Sequence, residues 1–433
     1  MSAAATPASA TAATRFQLGG GLPVVVRELS GPPILSARLA IRGGSGADRP
    51  AQRGAHQLLA GLMTRGCGDL DAEALADLVE GAGAALRAEA TEDSLVIALK
   101  CAAADAATLL PLLPEMVCRP SLAEDQFRLE RQLNLQTLQR QREDPFQLAH
   151  DQLRQLLYGD GPYGHDPLGI EAELASLEAG TLPPLLAELG RQGAVLVLCG
   201  SVPDRLMALL DTPLTRGWQT GLPAPVQTQP WQPPGPRLAV MAQDTEQLVL
   251  LLGAGTVPLG DADAPALRLL QSHLGLGMSC RLFVVMREER GLAYDVGVHL
   301  PARLGASPFV MHLSTSAERA EEATGALLDE WQRICEQALD AAELTLALAK
   351  FRGQDAMGRQ TRSQIAERLA LILASGLPLD HVERSLQQAA ALTAADLQRA
   401  AQRLLAAPCL SLVGPAAALD AAQRAWTRHP LCG

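Results

Sequence analysis

Aromatic side chains are scarce in this sequence: 6 Phe, 4 Trp and 3 Tyr make up 3% of its 433 residues. Ala, Leu and Gln fill much of the rest, a bias that favours helices because these residues lose little on entering one. No block of Lys and Arg occurs, and the net charge is -11 with a pI near 5.3. A nucleic-acid binder needs a basic face, so that class is excluded. No apolar run reaches the about 18 residues of a membrane span. Residues 1–14 have neither a positively charged start nor a long apolar stretch, and read as a disordered tail instead of a secretory signal. None of the 8 cysteines sits in a CxxC pair, which fits a reducing compartment and a cytoplasmic protein. Cys199 and Cys409 lie in apolar runs and are expected in the core.

What is present is enough apolar material, 48%, for two or three cores. The clearest break is the proline-rich stretch 219–236, QTGLPAPVQTQPWQPPGP, which reads as an extended linker pinned by Trp231. The halves on either side share one plan. Each opens on apolar strands, continues through helical patterns and closes on a short apolar strand ending in glycine, at 194–200 and 408–414. This is the signature of a duplicated domain. Leu35, Ala37, Leu39 and Ile41 alternate with more polar neighbours, as in a half-buried strand. Residues 94–99 behave alike. Helices are expected from Asp71 to Gly81, over 124–157 with a bend before Pro145, and at 264–273, 281–290, 317–338 and 342–351. Strands and helices do not alternate regularly, so the expected class is α+β, each domain a mixed or antiparallel sheet packed with helices. The expected boundaries are 15–218 and 237–433.

The stretch Leu274–Val296, LGLGMSCRLFVVMREERGLAYDV, is the most informative. It resembles, without a gap, the second-domain signature LGGGxSSRLFxxLREKRGLAYSV of the pitrilysin and mitochondrial processing peptidase family. The opening FQLGGGLPVVVRE, the turn DGPYGHDPLG and the closing LSLVGP resemble that family's corresponding segments, so the likeness runs over nearly the whole chain. Active members carry H-x-x-E-H, two imidazoles holding zinc with a glutamate that activates water. Here the frame between Gly54 and Gly66 puts Gln57, Ala60 and Gly61 at those positions. Shifting to use His56 leaves Leu59 and Ala60. The third ligand position falls on Thr137. The resemblance therefore implies no metal or cofactor in this chain.

The same family places an Arg and a Tyr seven positions apart opposite the zinc. Here they are Arg287 and Tyr294. A tyrosine hydroxyl can donate to the oxyanion formed on the scissile carbonyl, and a guanidinium fork can hold substrate carbonyls. Some family pairs divide this labour. The resemblance thus implies a substrate-binding subunit, inactive alone, that forms a heterodimer with a zinc-bearing peptidase subunit of the same family and acts on peptides. The alternative is a structural assembly subunit like the core proteins of respiratory complexes. Self-association of the isolated chain is compatible with an exposed partner-facing surface. Without the motif, Arg287 in its charged run reads as a solvated helix face. Arg281 is better placed to pack at a helix start than to touch substrate. Gly275 and Gly277 suit a tight turn, with contact to the substrate backbone as the alternative; they do not form GxGxxG. No histidine pairs with another His or Glu at zinc-ligand spacing, and no nucleophile-base constellation supports a stand-alone enzyme.

Overall fold

A computed structural model describes residues 13–225 and 231–432. Residues 1–12 of the expected tail and 226–230 of the expected linker lie outside it. Thr14, assigned to the tail on sequence, begins a strand instead.

The first six strands are β1 (Thr14–Gln17), β2 (Pro23–Glu28), β3 (Ile34–Arg42), β4 (Ala85–Ala90), β5 (Ser94–Ala102) and β6 (Ala194–Gly200). The next five are β7 (Leu238–Ala242), β8 (Gln247–Gly255), β9 (Val296–His299), β10 (Pro308–Ser316) and β11 (Cys409–Gly414). They form two sheets, ordered β1-β2-β6-β3-β5-β4 and β7-β11-β8-β10-β9. Only β2/β6 and β7/β11 are parallel. Strand for strand, the second sheet repeats the order β2-β6-β3-β5-β4 of the first, with the parallel pair in the same place. The duplication read in the sequence is therefore a duplication of topology, and the class is α+β.

Helices that bear on the site are α1 (Ala55–Met63), α2 (Ala72–Gly81), α3 (Glu124–Gln141), α4 (Pro145–Tyr158), α5 (Ala264–Gly275), α6 (Ala320–Glu336), α7 (Ala341–Met357) and α8 (Arg362–Ala374). The helix expected over 124–157 is two helices, not one bent one. Asp144 accepts the Phe146 N–H at 2.9 Å, and Pro145 takes the first helical position, where its missing donor costs nothing. Among the described residues no helix is long and apolar enough to cross a membrane.

The chain packs as two compact units, and both are discontinuous. The first holds residues 13–134, 167–225 and 358–379 of the described chain; the second holds 135–166, 231–357 and 380–432. The contiguous boundaries 15–218 and 237–433 therefore differ from the packed units in residues 135–166, which hold the end of α3 and all of α4, and in 358–379, which hold α8. In the first unit, Ala366, Leu369, Ala370 and Leu373 of α8 cover Val25, Ala40, Val195, Val197 and Cys199 of the sheet. In the second, Ala149, Leu153, Leu156 and Leu157 of α4 cover Val249, Leu251, Val310, Cys409 and Val413. At roughly 25 cal/mol per Å² of apolar surface, each such face is worth several kcal/mol, which no local signal in the sequence announces. Trp231 donates to the Leu157 carbonyl at 2.8 Å and packs on Gly255.

Candidate functional site

Helix α1 starts from Gly54 at φ 105°, a conformation that glycine takes at little cost. The buried carboxylate of Asp48 anchors that start. It accepts the Gly54 and His56 backbone N–H groups at 2.8 and 3.1 Å, and His56 Nδ1 at 2.6 Å. His56 is thus consumed in holding the helix. At the next residue, Gln57 Oε1 accepts the Ala90 N–H of β4 at 2.9 Å, so this amide staples α1 to the edge strand. Leu59 and Ala60 are fully buried.

Gly61 is the most telling of these positions. A Cβ built on it would lie 2.3 Å from Glu130 Oε1 and 2.5 Å from Glu130 Cδ. Glu130 comes from α3 and is paired with Arg65 at 3.1 Å. An ion pair therefore fills the space beside the position that the resemblance assigns to a zinc ligand. Thr137, also on α3, falls among the residues of the second unit, and its hydroxyl accepts from Arg140 at 3.3 Å. The donor set does not fit a catalytic zinc ion: one amide already bonded to backbone, two positions with no donor, and a threonine. Among the described residues no group of three or more His, Cys, Asp or Glu could hold a metal.

The second unit carries the other candidates. Residues 281–290, expected as an α-helix, are wound as a π-helix over Phe283–Glu289. Its signature is the Arg290 N–H bonded to the Val285 carbonyl at 3.2 Å, five residues back. The Leu292 and Ala293 N–H groups then bond to the Met286 carbonyl at 2.7 and 3.3 Å and tie down the loop that presents Tyr294. Arg287 and Tyr294 meet. The guanidinium carbon lies 4.5 Å from the Tyr294 ring centre, and Nη1 donates to the Tyr294 carbonyl at 3.3 Å. Tyr294 is 82% exposed. Its hydroxyl has no hydrogen-bond partner among the described residues.

Sequence reasoning missed two residues here. Phe283 is a second ring against Arg287, its centre 4.8 Å from the guanidinium carbon. Its spacing of four from Arg287 was a legible signal. Glu130, by contrast, gave no signal. Arg281 makes a two-point ion pair with Glu330 of α6, Nη2 to Oε1 at 2.8 Å, so it packs the turn. Gly275 lets the end of α5 lie on β9, where a Cβ would come within 2.7 Å of the Val298 nitrogen. Gly277, at φ 76°, faces open space. Glu288, Glu289 and Arg290 are exposed. A cavity of about 860 Å³ in the first unit, lined by Phe16, Glu28, Ser30, Ser201, Asp204 and Arg205 among others, contains none of these residues.

The two sheet edges differ. Arg268 and Gln271 of α5 donate to the Leu300 and Val298 carbonyls along the outer edge of β9. On β4, Thr91 N–H bonds Ser94, so Leu86, Ala88 and Ala90 point their backbone groups outward, and Gln57 covers only Ala90.

Residues 24–169 match the insulinase family (peptidase family M16), and residues 190–351 match the peptidase M16 inactive domain. An uncharacterised zinc protease of Mycobacterium tuberculosis is 26% identical over 409 residues, 93% of this chain and 92% of that protein. The crystal structure of a peptidase M16 inactive domain from Pseudomonas fluorescens superposes with a TM-score of 0.84 at 23% identity, covering 93% of this chain and 98% of that one. A chain of complex III2 from Candida albicans does so with a TM-score of 0.76 at 14% identity, covering 93% and 95%. The two structures share the fold.

Proposed function

The chain belongs to peptidase family M16, and from that membership we propose that it is the substrate-contacting subunit of a two-chain peptidase. A partner of the same family with an intact H-x-x-E-H holds the zinc, which when bound activates water and polarises the scissile carbonyl. This chain holds no catalytic metal. One observation carries the reading. The metal-site positions are filled by an amide staple and an ion pair, while the Tyr294 hydroxyl is left exposed and unpaired beside a stacked Arg287.

The chemistry follows from those groups. The Tyr294 O–H donates to the oxygen that becomes negative as the carbonyl turns tetrahedral. The rigid fork of Arg287 presents its remaining N–H groups to substrate carbonyls. Substrate binding as an extended strand added to a sheet edge is a mode that tolerates many sequences.

The test is peptide cleavage by this chain alone, by the zinc-bearing partner alone and by the mixture. Only the mixture is expected to cleave. Tyr294→Phe is expected to lower kcat of the mixture about 10²- to 10³-fold while the two chains still co-purify. Cleavage by this chain alone with stoichiometric bound metal refutes the proposal. Full activity of the mixture with both Arg287→Ala and Tyr294→Phe leaves an assembly role in its place.

A further inference from the structure

Arg287 lies over two aromatic rings. The guanidinium carbon sits 4.8 Å from the Phe283 ring centre and 4.5 Å from that of Tyr294. A guanidinium keeps all five N–H donors in its plane, so two rings within cation–π distance restrict the directions in which that plane can turn. Phe283 has no evident packing duty. Leu282 and Met286, on the same turn, belong to the apolar core of this unit, and Phe283 is not among its described members. It is half-buried beside the buried Leu282, Val285 and Met286, in a chain with only 6 phenylalanines. The winding reinforces the contact: the π-helix begins at Phe283 and contains Arg287 in its second turn, which sets the two side chains one above the other.

We infer that Phe283 is a positioning residue, one half of an aromatic clamp that orients the Arg287 fork toward substrate carbonyls, Tyr294 being the other half. The inference rests on the reading of Arg287 and Tyr294 given above. It adds that the two named groups work only as a stacked set of three. Without Phe283, one of the two rings is lost and the guanidinium plane rotates about the side-chain torsions. Tyr294 then keeps a single stacking partner that is free to leave.

Two readouts separate this from a structural role and from the reading beneath it. In the full-length chain, arginine labelled with ¹⁵N and ¹³C reports the ring-current shift of the Arg287 side chain by NMR, with no partner and no activity required. Phe283→Leu is expected to remove a large part of that shift, and Phe283→Tyr to keep it. In the mixture with the zinc-bearing partner, Phe283→Leu is expected to lower kcat about 2- to 5-fold, the size of one exposed cation–π contact. Phe283→Tyr restores the rate, and the affinity between chains is unchanged. An unchanged Arg287 spectrum in Phe283→Leu overturns the clamp. So does an altered spectrum with unchanged kcat where Arg287→Ala lowers kcat. If Arg287→Ala itself leaves kcat intact, the underlying reading fails and the clamp's catalytic purpose fails with it.

Discussion

Gly61 lacks a side chain where Glu130 stands, and the two residues are coupled. Alanine in a helix interior is worth about 1 kcal/mol over glycine. Here the added methyl forces Glu130 off Arg65, and overpacking costs about 1–3 kcal/mol. Gly61→Ala is expected to destabilise the chain by about 1 kcal/mol. In a Glu130→Ala background the same change is expected to stabilise by up to about 1 kcal/mol. Urea unfolding of the four proteins of this cycle decides it, and an unchanged sign in both backgrounds sinks the idea. Gln57, Ala60 and Gly61 could be counted off in sequence because Gly54 and Gly66, both at positive φ, fix the frame. Glu130 could not, since what packs against Gly61 is settled by tertiary approach and not by spacing. Phe283 lay between these cases: its spacing was visible, its stacking was not.

Among elements, α8 is the one whose place depends most on a few polar contacts. Its start is a capping box, with Thr361 and Gln364 bonding each other's backbone N–H groups. Its end is held by buried Arg42 of β3, which donates to the Ala374 carbonyl from Nε at 3.1 Å and Nη2 at 2.8 Å, and to Ala224 from Nη1. A cation on the last carbonyl also meets the negative end of the helix dipole. Arg42→Met is expected to cost about 1.5–3 kcal/mol, the range for hydrogen bonds to a charged group. Amide exchange should then accelerate in α8 before β3, and uniform acceleration would count against the clamp. In α4, Leu153→Ala is expected to cost about 2–5 kcal/mol. The strands were readable from their alternation, and α2 from Asp71 and its apolar spacing. The interruption between α3 and α4 was announced by the Asp144-Pro145 pair but read as a bend. The π winding was not readable, because seven residues are too few for 3.6- and 4.4-residue periods to diverge.

For the molecule as a whole, histidines lowered by burial set the response to acid, His312 and His381 among them, and two carry the largest shifts. Burial pushes His150 down to about 3 and His273 down to about 4 from an ordinary 6.5. Arg154 reinforces the effect at His150, whose Nδ1 it meets at 3.1 Å. Between pH 6.5 and 4 the unfolded chain binds these protons and the folded chain does not, so folding weakens as pH falls through that window. Asp151 acts the other way. Burial raises it to about 6 from 3.8, so its stabilising share is present below 3.8 and lost as pH rises through 6. Four lowered imidazoles against one raised carboxyl leave a net loss on acidification. The melting temperature is expected to be lower at pH 4.5 than at pH 7, and His273→Asn to flatten that difference. A flat wild-type profile contradicts the assignment. The discontinuous packing of α4 and α8 has a further consequence, in the order of synthesis. On a ribosome the first sheet is complete once Gly200 has emerged, but the helix that covers Val25, Val195 and Val197 comes more than 150 residues later. Until then that face is bare and sticky, so a nascent or truncated first half is a client for chaperones. A fragment ending near residue 225 should aggregate, and a separate peptide spanning 358–379 should rescue its solubility.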